Sequence, residues 1–516
     1  MARMLARAVL LAALLSLGER AQAQAVLCRS GGVLGSSVTY DLEGTPITVF
    51  ALLPSLTTGP TPLSIVEPGS TLLLDVGIDL LDLLEVSLLD GLGKASVVYP
   101  IPLQLSLQGM PLHAQFIELP LAPTTFGDIS NLTSFTMAEA DTSVPTLGPQ
   151  ANALEGHTAT VLDDGRVLIA GGTATTGPSA GMVLDEVELY DPKIEAFLPS
   201  LAALQDRRSE HVAVKLADGR VLITGGVDEN GAVLKSAEIF DPITETTSAV
   251  PDMADERAYH TATLLPNGRV FVAGGFSVLS SMDLLGSLTS AVDSTELYDP
   301  GTNTWIPGPA LPEGRAAHGA SLLGDGRVLI TGGLEVGTVF GIPAPELSSD
   351  CRRYDPATNT LLATASFSGE RLLHGQVTLN NGDVLIGGGA GGSVLLLSFC
   401  SLASTRVYDT AANSWSNTAN LNVARSGPNL VNRVSDIVCI GGAMSPGSLF
   451  TGQAGAADVI EIASQSVFSW TMTGMTLQER VRAVSVDINC ESILTTGSGD
   501  NGTPITDTLA ELFRQQ

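Results

Sequence analysis

From about residue 150 onward, apolar residues come in short β-rich runs, and pairs of glycines close these runs at regular intervals. The pairs stand at Gly171/Gly172, Gly225/Gly226, Gly274/Gly275, Gly332/Gly333, Gly388/Gly389 and Gly441/Gly442, with a degraded seventh at Gly497/Ser498. Successive first glycines are 54, 49, 58, 56, 53 and 56 residues apart. The chain is therefore organised by an internal repeat of roughly 50 residues, longer than the roughly 40–45 of some blade-forming repeats.

Each unit parses into strands. In the first, His157–Leu162 and Arg166–Ala170 flank Asp163-Asp164-Gly165, and the Asp-Gly pair supplies the positive φ angles of a tight hairpin turn. The turn recurs at Asp218-Gly219, Asn267-Gly268, Asp325-Gly326 and Asn381-Gly382, and is lost at Val434–Asp436 and Asn489–Glu491. After the glycines comes a loop of variable length, then a third strand such as Glu188–Pro192, Glu238–Pro242 or Glu296–Pro300. Proline has no amide hydrogen for the ladder, so Asp-Pro ends that strand. A fourth strand is marked by Trp305, Trp415 and Trp470. Four short antiparallel strands make one blade, and blades stacked radially cover both faces of each sheet.

Paired glycines, an aromatic in the third strand and a later tryptophan resemble the kelch-repeat family, in particular propellers of a secreted bacterial type. The resemblance covers residues from about 150 to 516 and implies an all-β, kelch-type β-propeller. Repeat seven ends at Glu511–Phe513 with no fourth strand, whereas Leu132–Ala138 lies upstream of repeat one, where a fourth strand is wanted. Seven four-stranded blades closed by this N-terminal strand are expected, which removes the open sheet edges; six blades is the alternative.

Three segments follow. Residues 1–25 have charged Arg3 and Arg7, an apolar stretch from Ala8 to Gly18 and the small-residue run AQAQA, the layout of a secretory signal peptide. Residues 26–128 lack the repeat; their prolines and the alternating stretch Leu103–Gln108 predict a small β-rich domain, although acids at 75, 79, 82 and 85 leave one amphipathic helix open. Residues 129–516 form the propeller. Export to an extracellular, periplasmic or envelope-associated location is the expectation.

Composition narrows the partners. A formal net charge of −29 repels phosphate backbones, so no nucleic-acid partner is expected. Leu72–Leu89 is interrupted by four acids, and no later run is long and apolar enough to span a bilayer as a helix. In an exported protein, Cys351, Cys400, Cys439 and Cys490 are candidates for disulfides, with Cys351–Cys400 the favoured pair and buried thiols the alternative.

The repeat also carries Arg-x-x-His, at Arg208/His211, Arg257/His260, Arg315/His318 and Arg371/His374, with Arg425 and Arg480 continuing the arginine position. Equivalent positions in successive blades lie on a circle, so they do not form a compact metal set. Two readings stand: a scaffold in which each arginine pairs with a carboxylate and each histidine is satisfied locally, or a ring of arginines at a channel mouth that attracts an anion. Tyr259 and His260 are similar to the adjacent copper ligands of galactose oxidase and related copper radical oxidases. That family also needs a Cys-crosslinked tyrosine and a further histidine after the propeller, and no histidine follows His374. No cofactor is expected, and no catalytic residue is assigned.

Loops between second and third strands emerge on one face, opposite the tight turns. Those of repeats three to five carry apolar residues, including Leu285, Phe340 and Phe399. Either they fold back on one another or they form a recognition patch on a rigid scaffold. The expected function is binding, of a protein or an extracellular polysaccharide. The alternatives are a copper radical oxidase, another carbohydrate-active propeller enzyme, or a structural envelope-associated protein.

Overall fold

The computed structural model describes residues 26–31, 37–43, 49–55, 58–62, 73–76, 85–88, 94–100, 110–119, 133–136, 142–146, 150–175, 178–198, 202–280, 282–339, 342–394, 398–433, 436–444, 457–465, 467–480, 484–489, 492–496 and 510–514. The signal-like residues 1–25, the stretch Leu103–Gln108 and Gly497/Ser498 lie outside the described residues. Two compact units are present, dividing mainly after Gly148.

The N-terminal unit is β-rich. Strands Val26–Gly31, Ser37–Glu43 and Lys94–Pro100 form one antiparallel sheet, and Glu85–Leu88, Val49–Ser55, Pro111–Leu119 and Thr133–Thr136 form another. The acids at 75 and 85 lie in strands Leu73–Val76 and Glu85–Leu88, so their helical spacing does not produce a helix at those positions.

Seven further four-stranded sheets follow one another, built mainly from the second unit. In six of them the strands lie in chain order, beginning with Thr158–Val161, Val167–Ala170, Val187–Asp191 and Ala196–Leu198. The seventh contains Val484–Asn489, Ser492–Thr496 and Glu511–Arg514, and its fourth strand is Thr142–Pro145. An N-terminal strand thus closes the ring, but it is not the expected Leu132–Ala138: Thr133–Thr136 is taken up beside Pro111–Leu119. Seven innermost strands, one per blade, adjoin in sequence, and the first of them, Thr158–Val161, adjoins the last, Val484–Asn489. This fixes seven blades and excludes six.

Local chemistry explains each blade. Second strands such as Val221–Thr224 and Val328–Thr331 are buried along their whole length, which is why they read as continuous apolar runs. At the first hairpin, Gly165 has φ +87° while Asp164 stays at negative φ, and Leu162 N–H donates to the Arg166 carbonyl at 2.8 Å. The turn therefore needs one left-handed residue, not the two of a two-residue hairpin loop. Third-strand tyrosines Tyr298, Tyr354 and Tyr408 donate to Asn303, Asn359 and Asn413 at 2.8–3.0 Å, and these asparagines hold the left-handed position of the next turn. Trp305 and Trp415 donate to the Pro251 and Ala365 carbonyls, each just past the fourth strand of the preceding blade.

The core lies between blades. Leu168 and Val187 of blade 1 pack on Val221 and Phe240 of blade 2. Phe271 of blade 3 stacks on Tyr354 of blade 4, with ring centroids 4.0 Å apart. Similar clusters join the blades that follow.

Candidate functional site

The most repetitive polar residues tie the blades together. Arg208, Arg257, Arg315, Arg371 and Arg425 are each at most 1% exposed. In every case Nη1 donates to the carbonyl of the first glycine of the same blade's pair, at 2.7–3.0 Å. A second Nη1 contact reaches the carbonyl of a residue just before or at the start of the third strand, as at Ser236 and Ser294. Nη2 reaches a third-strand glutamate in three blades: Glu238 at 2.9 Å, Glu296 at 3.0 Å and Glu461 at 2.7 Å. Arg315 instead pairs with Asp350 at 2.9 Å and with Glu335. The arginine carbonyl meanwhile accepts from the second glycine N–H of the preceding blade, as Arg257 does from Gly226 at 2.8 Å. One residue thereby joins two blades, and in four of the five, all but Arg371, its charge is neutralised inside them. The geometry supports the scaffold reading and not an exposed ring of cations; the Arg480 side chain lies outside the described residues.

The histidines complete the same joint. Nε2 of His157, His211, His260, His318 and His374 lies 2.7–3.0 Å from a threonine hydroxyl of the preceding blade, with Thr496 of blade 7 serving His157 of blade 1. Burial, followed by the neighbouring arginine charge, lowers His260 and His374 to about 3, so both are neutral at ordinary pH. His260 is therefore held between blades, while Tyr259 packs edge-on to Phe276 with centroids 6.2 Å apart. Among the described residues no group of three His, Cys, Asp or Glu side chains converges as a metal site, and His260 Nε2 is taken up by the Thr224 hydroxyl.

Blade 1 departs from the pattern in an informative way. It has Leu154 at the arginine position, so its third-strand Glu188 has no ion-pair partner among the described residues. Burial pushes this carboxyl up to about 7, against a hydrogen bond from the Ala151 N–H. With the unfolded value near 4.5, the folded state holds an extra proton between those pH values. Stability is then greatest at and below about pH 4.5 and falls as pH rises to about 7. Glu188→Gln is expected to remove this slope and to be more stable than the parent at pH 8 by about 2 kcal/mol, allowing for partial exposure. Urea denaturation of both proteins at pH 5 and pH 8 checks it, and parallel responses would contradict the assignment.

The second x of Arg-x-x-His is a feature that residue patterns did not reveal. Glu210, Tyr259, Ala317 and Leu373 have φ of +50° to +55°, joined by Gly156 and Gly427. Their backbones form a chain around the axis: Glu210 N–H donates to Gly156, Ala317 to Tyr259, Leu373 to Ala317 and Gly427 to Leu373, at 2.8–3.0 Å. The only sequence signal was glycine at two of these six positions.

Unequal loops lie beyond this ring. Loop three contains a short helix, Leu284–Leu288, capped by Asp283, whose carboxylate accepts from Gly286 N–H at 2.8 Å. Loop four is a hairpin, Leu334–Val339 and Ile342–Leu347, extended by Gly314–Ala316; loop five is the hairpin Ala390–Ser393 and Ser398–Ser401. Phe276, Leu288, Leu334, Leu347, Leu372 and Val394 form a buried cluster among them, and Phe399 packs at its edge. The loops therefore fold back on one another. They still leave Leu285 65% and Ile342 68% exposed. An open groove of about 650 Å³ runs between them, lined by Leu284, Leu285, Pro343, Pro345 and Val394 with Glu346 and Glu370. Phe340 lies outside the described residues.

The cysteines do not form the expected pair. Cys351 opens the third strand of blade 4, whereas Cys400 lies in the loop-five hairpin ahead of the third strand Thr405–Asp409, so the two positions are not equivalent. Cys351, Cys400 and Cys439 are free thiols, and burial pushes Cys351 up to about 12 and Cys439 to about 11. Cys490 lies outside the described residues.

Seven radial four-stranded sheets joined through glycine pairs and buried Arg-x-x-His segments define a kelch-type β-propeller. A Kelch motif model matches residues 257–312. Among solved structures, a fungal alcohol oxidase of the AA5 family, determined in complex with copper, is similar over 72% of this chain and 75% of its own, with 16% identity and a TM-score of 0.54. The protein YjhT is similar over 63% of this chain and 99% of its own, with 15% identity and a TM-score of 0.46. A search of curated proteins finds no match. At these identities the likeness to the oxidase concerns the fold.

Proposed function

We propose that the chain is an exported binding protein whose loop face captures a protein partner. The observation carrying this reading is the groove, where exposed leucines and prolines from two loops meet Glu346 and Glu370. Neither glutamate forms an ion pair among the described residues. Such a site suits an apolar side chain with a basic neighbour, and a net charge of −29 favours cationic surfaces over anionic ones. Export rests on the N-terminal segment, and a polysaccharide partner is an outcome of the test.

The repeat residues are engaged in holding blades together, so recognition falls to what the blades do not share. The test compares capture from culture supernatant and envelope extract by the parent and by the double variant Leu284→Arg/Leu285→Arg, both exposed on the groove wall. A bound protein lost at least tenfold by the variant, with unchanged thermal unfolding, supports the reading. Equal capture, or no capture by either, overturns it, and a carbohydrate in the bound fraction replaces the protein partner.

A further inference from the structure

The joints of blades 2 to 6 invite comparison position by position, and blade 5 differs from the rest. In blades 2 and 3 the joint arginine has two carboxylates near Nη2. One is the third-strand glutamate, and the other is the aspartate two residues before the arginine, Asp206 or Asp255, at 3.5 Å. That aspartate also accepts from a serine hydroxyl, Ser236 at 2.6 Å and Ser294 at 2.5 Å. Blade 4 uses Asp350 and Glu335, and blade 6 uses Glu461.

Blade 5 has lost both acids. Gly369 stands where the aspartate is expected, and Arg406 replaces the third-strand glutamate. No ion pair forms with Arg371 or Arg406 among the described residues. Arg371 Nη2 donates to Ser404 Oγ at 2.7 Å, and Arg406 Nη1 approaches the same oxygen at 3.4 Å. Arg406 Nη2 donates to Ser368 Oγ at 3.2 Å, while its Nε is buried with no partner. Among the described residues the Ser404 hydroxyl has no carboxylate to donate to, unlike its counterparts Ser236 and Ser294.

Two guanidinium groups therefore meet in a place where every comparable blade supplies negative charge. Burial and the Arg406 charge lower Arg371 to about 9, which registers the missing counter-charge. Space is present too: a Cβ added at Gly369 would have only Arg406 Nη2 within 4 Å, at 3.8 Å. Ser368, Gly369 and half-buried Arg406 open this place to solvent, whereas Arg371 forms its buried floor.

We propose that blade 5 holds a carboxylate-binding site formed by Arg371, Arg406, Ser404 and Ser368, in which a ligand carboxylate takes the place of the acids that neighbouring blades carry within the chain. Paired guanidinium donors and hydroxyls match a planar carboxylate, as the Glu238 and Asp206 contacts of blade 2 illustrate. The carboxylate can belong to a small acid or to a uronic-acid sugar.

The full chain is titrated with acetate and with glucuronate at constant ionic strength, with chloride as the balancing ion. Thermal unfolding and calorimetry provide the readouts. Either carboxylate is expected to raise Tm by about 2–5 °C at a hundredfold excess over its Kd. At least tenfold tighter binding of glucuronate points to the sugar source, and equal affinity to a small acid. Arg406→Glu restores the pattern of blades 2, 3 and 6, so it should raise Tm without ligand and lose the ligand-dependent shift. Arg406→Gln keeps the side-chain length without the charge and should weaken binding at least tenfold. Parent protein indifferent to both carboxylates, or an undiminished shift in Arg406→Gln, overturns the site.

Discussion

Arg257→Gln is expected to destabilise the chain by about 3–5 kcal/mol, because it leaves Glu296 buried and uncompensated inside the joint between two blades. Arg257 is fully buried, and Glu296 is 4% exposed. The arginine also satisfies the Gly274 carbonyl at 2.7 Å, the Ser294 carbonyl at 3.0 Å and Ser294 Oγ at 2.6 Å, groups that glutamine is too short to reach together. Arg371→Gln provides an internal control. Its joint contains no carboxylate, so the substitution loses hydrogen bonds without stranding an anion and should cost about 1–3 kcal/mol. Urea denaturation followed by tryptophan fluorescence measures both. The triple variant Arg257→Gln/Arg315→Gln/Arg371→Gln separates the two readings of the motif. An anion-attracting ring leaves the triple variant folded, whereas the scaffold predicts loss of the folded state. A triple variant with the parent's denaturation midpoint would refute the scaffold.

The repeat was legible because each of its signals reports local chemistry: a glycine where the hairpin turn needs positive φ, a proline that ends a strand, a tryptophan at a constant offset. The arginine position was legible as a period, but not its burial. Burial depends on the neighbouring blade, whose glycine N–H lies against the arginine carbonyl. The closing strand was placed one segment early, at Phe135 rather than Ser143, since both segments are short and β-prone and the choice is made by which sheet has an open edge. Leu285 was correctly singled out as apolar, yet sequence could not show that Leu288, three residues on, turns inward while Leu285 stays exposed. The two missing acids of blade 5 were visible at Gly369 and Arg406. Their meaning required knowing that the equivalent positions elsewhere converge on one guanidinium.

Gly274→Ala should be as damaging as loss of a joint arginine, and for a different reason. Gly274 has φ +63°, a conformation costing a non-glycine residue about 1–2 kcal/mol. The new methyl would also overlap the Arg315 carbonyl and lie 2.9 Å from His318 Cε1. Relief requires blades 3 and 4 to separate, which stretches the 2.8 Å bond from Gly275 N–H to that carbonyl and disturbs the contact between His318 and Thr261. Overpacking of this kind adds about 1–3 kcal/mol, for a total of about 2–5 kcal/mol. Gly165→Ala isolates the backbone contribution: φ is +87°, and an added Cβ has nothing within 4 Å. That substitution should cost only about 1–2 kcal/mol. The difference between the two, read as the separation of their urea midpoints, measures how tightly the glycine pair is pressed against the next blade. Equal midpoints would mean that the pairs recur for backbone conformation alone, and that blade stacking does not require the close approach made at Arg315.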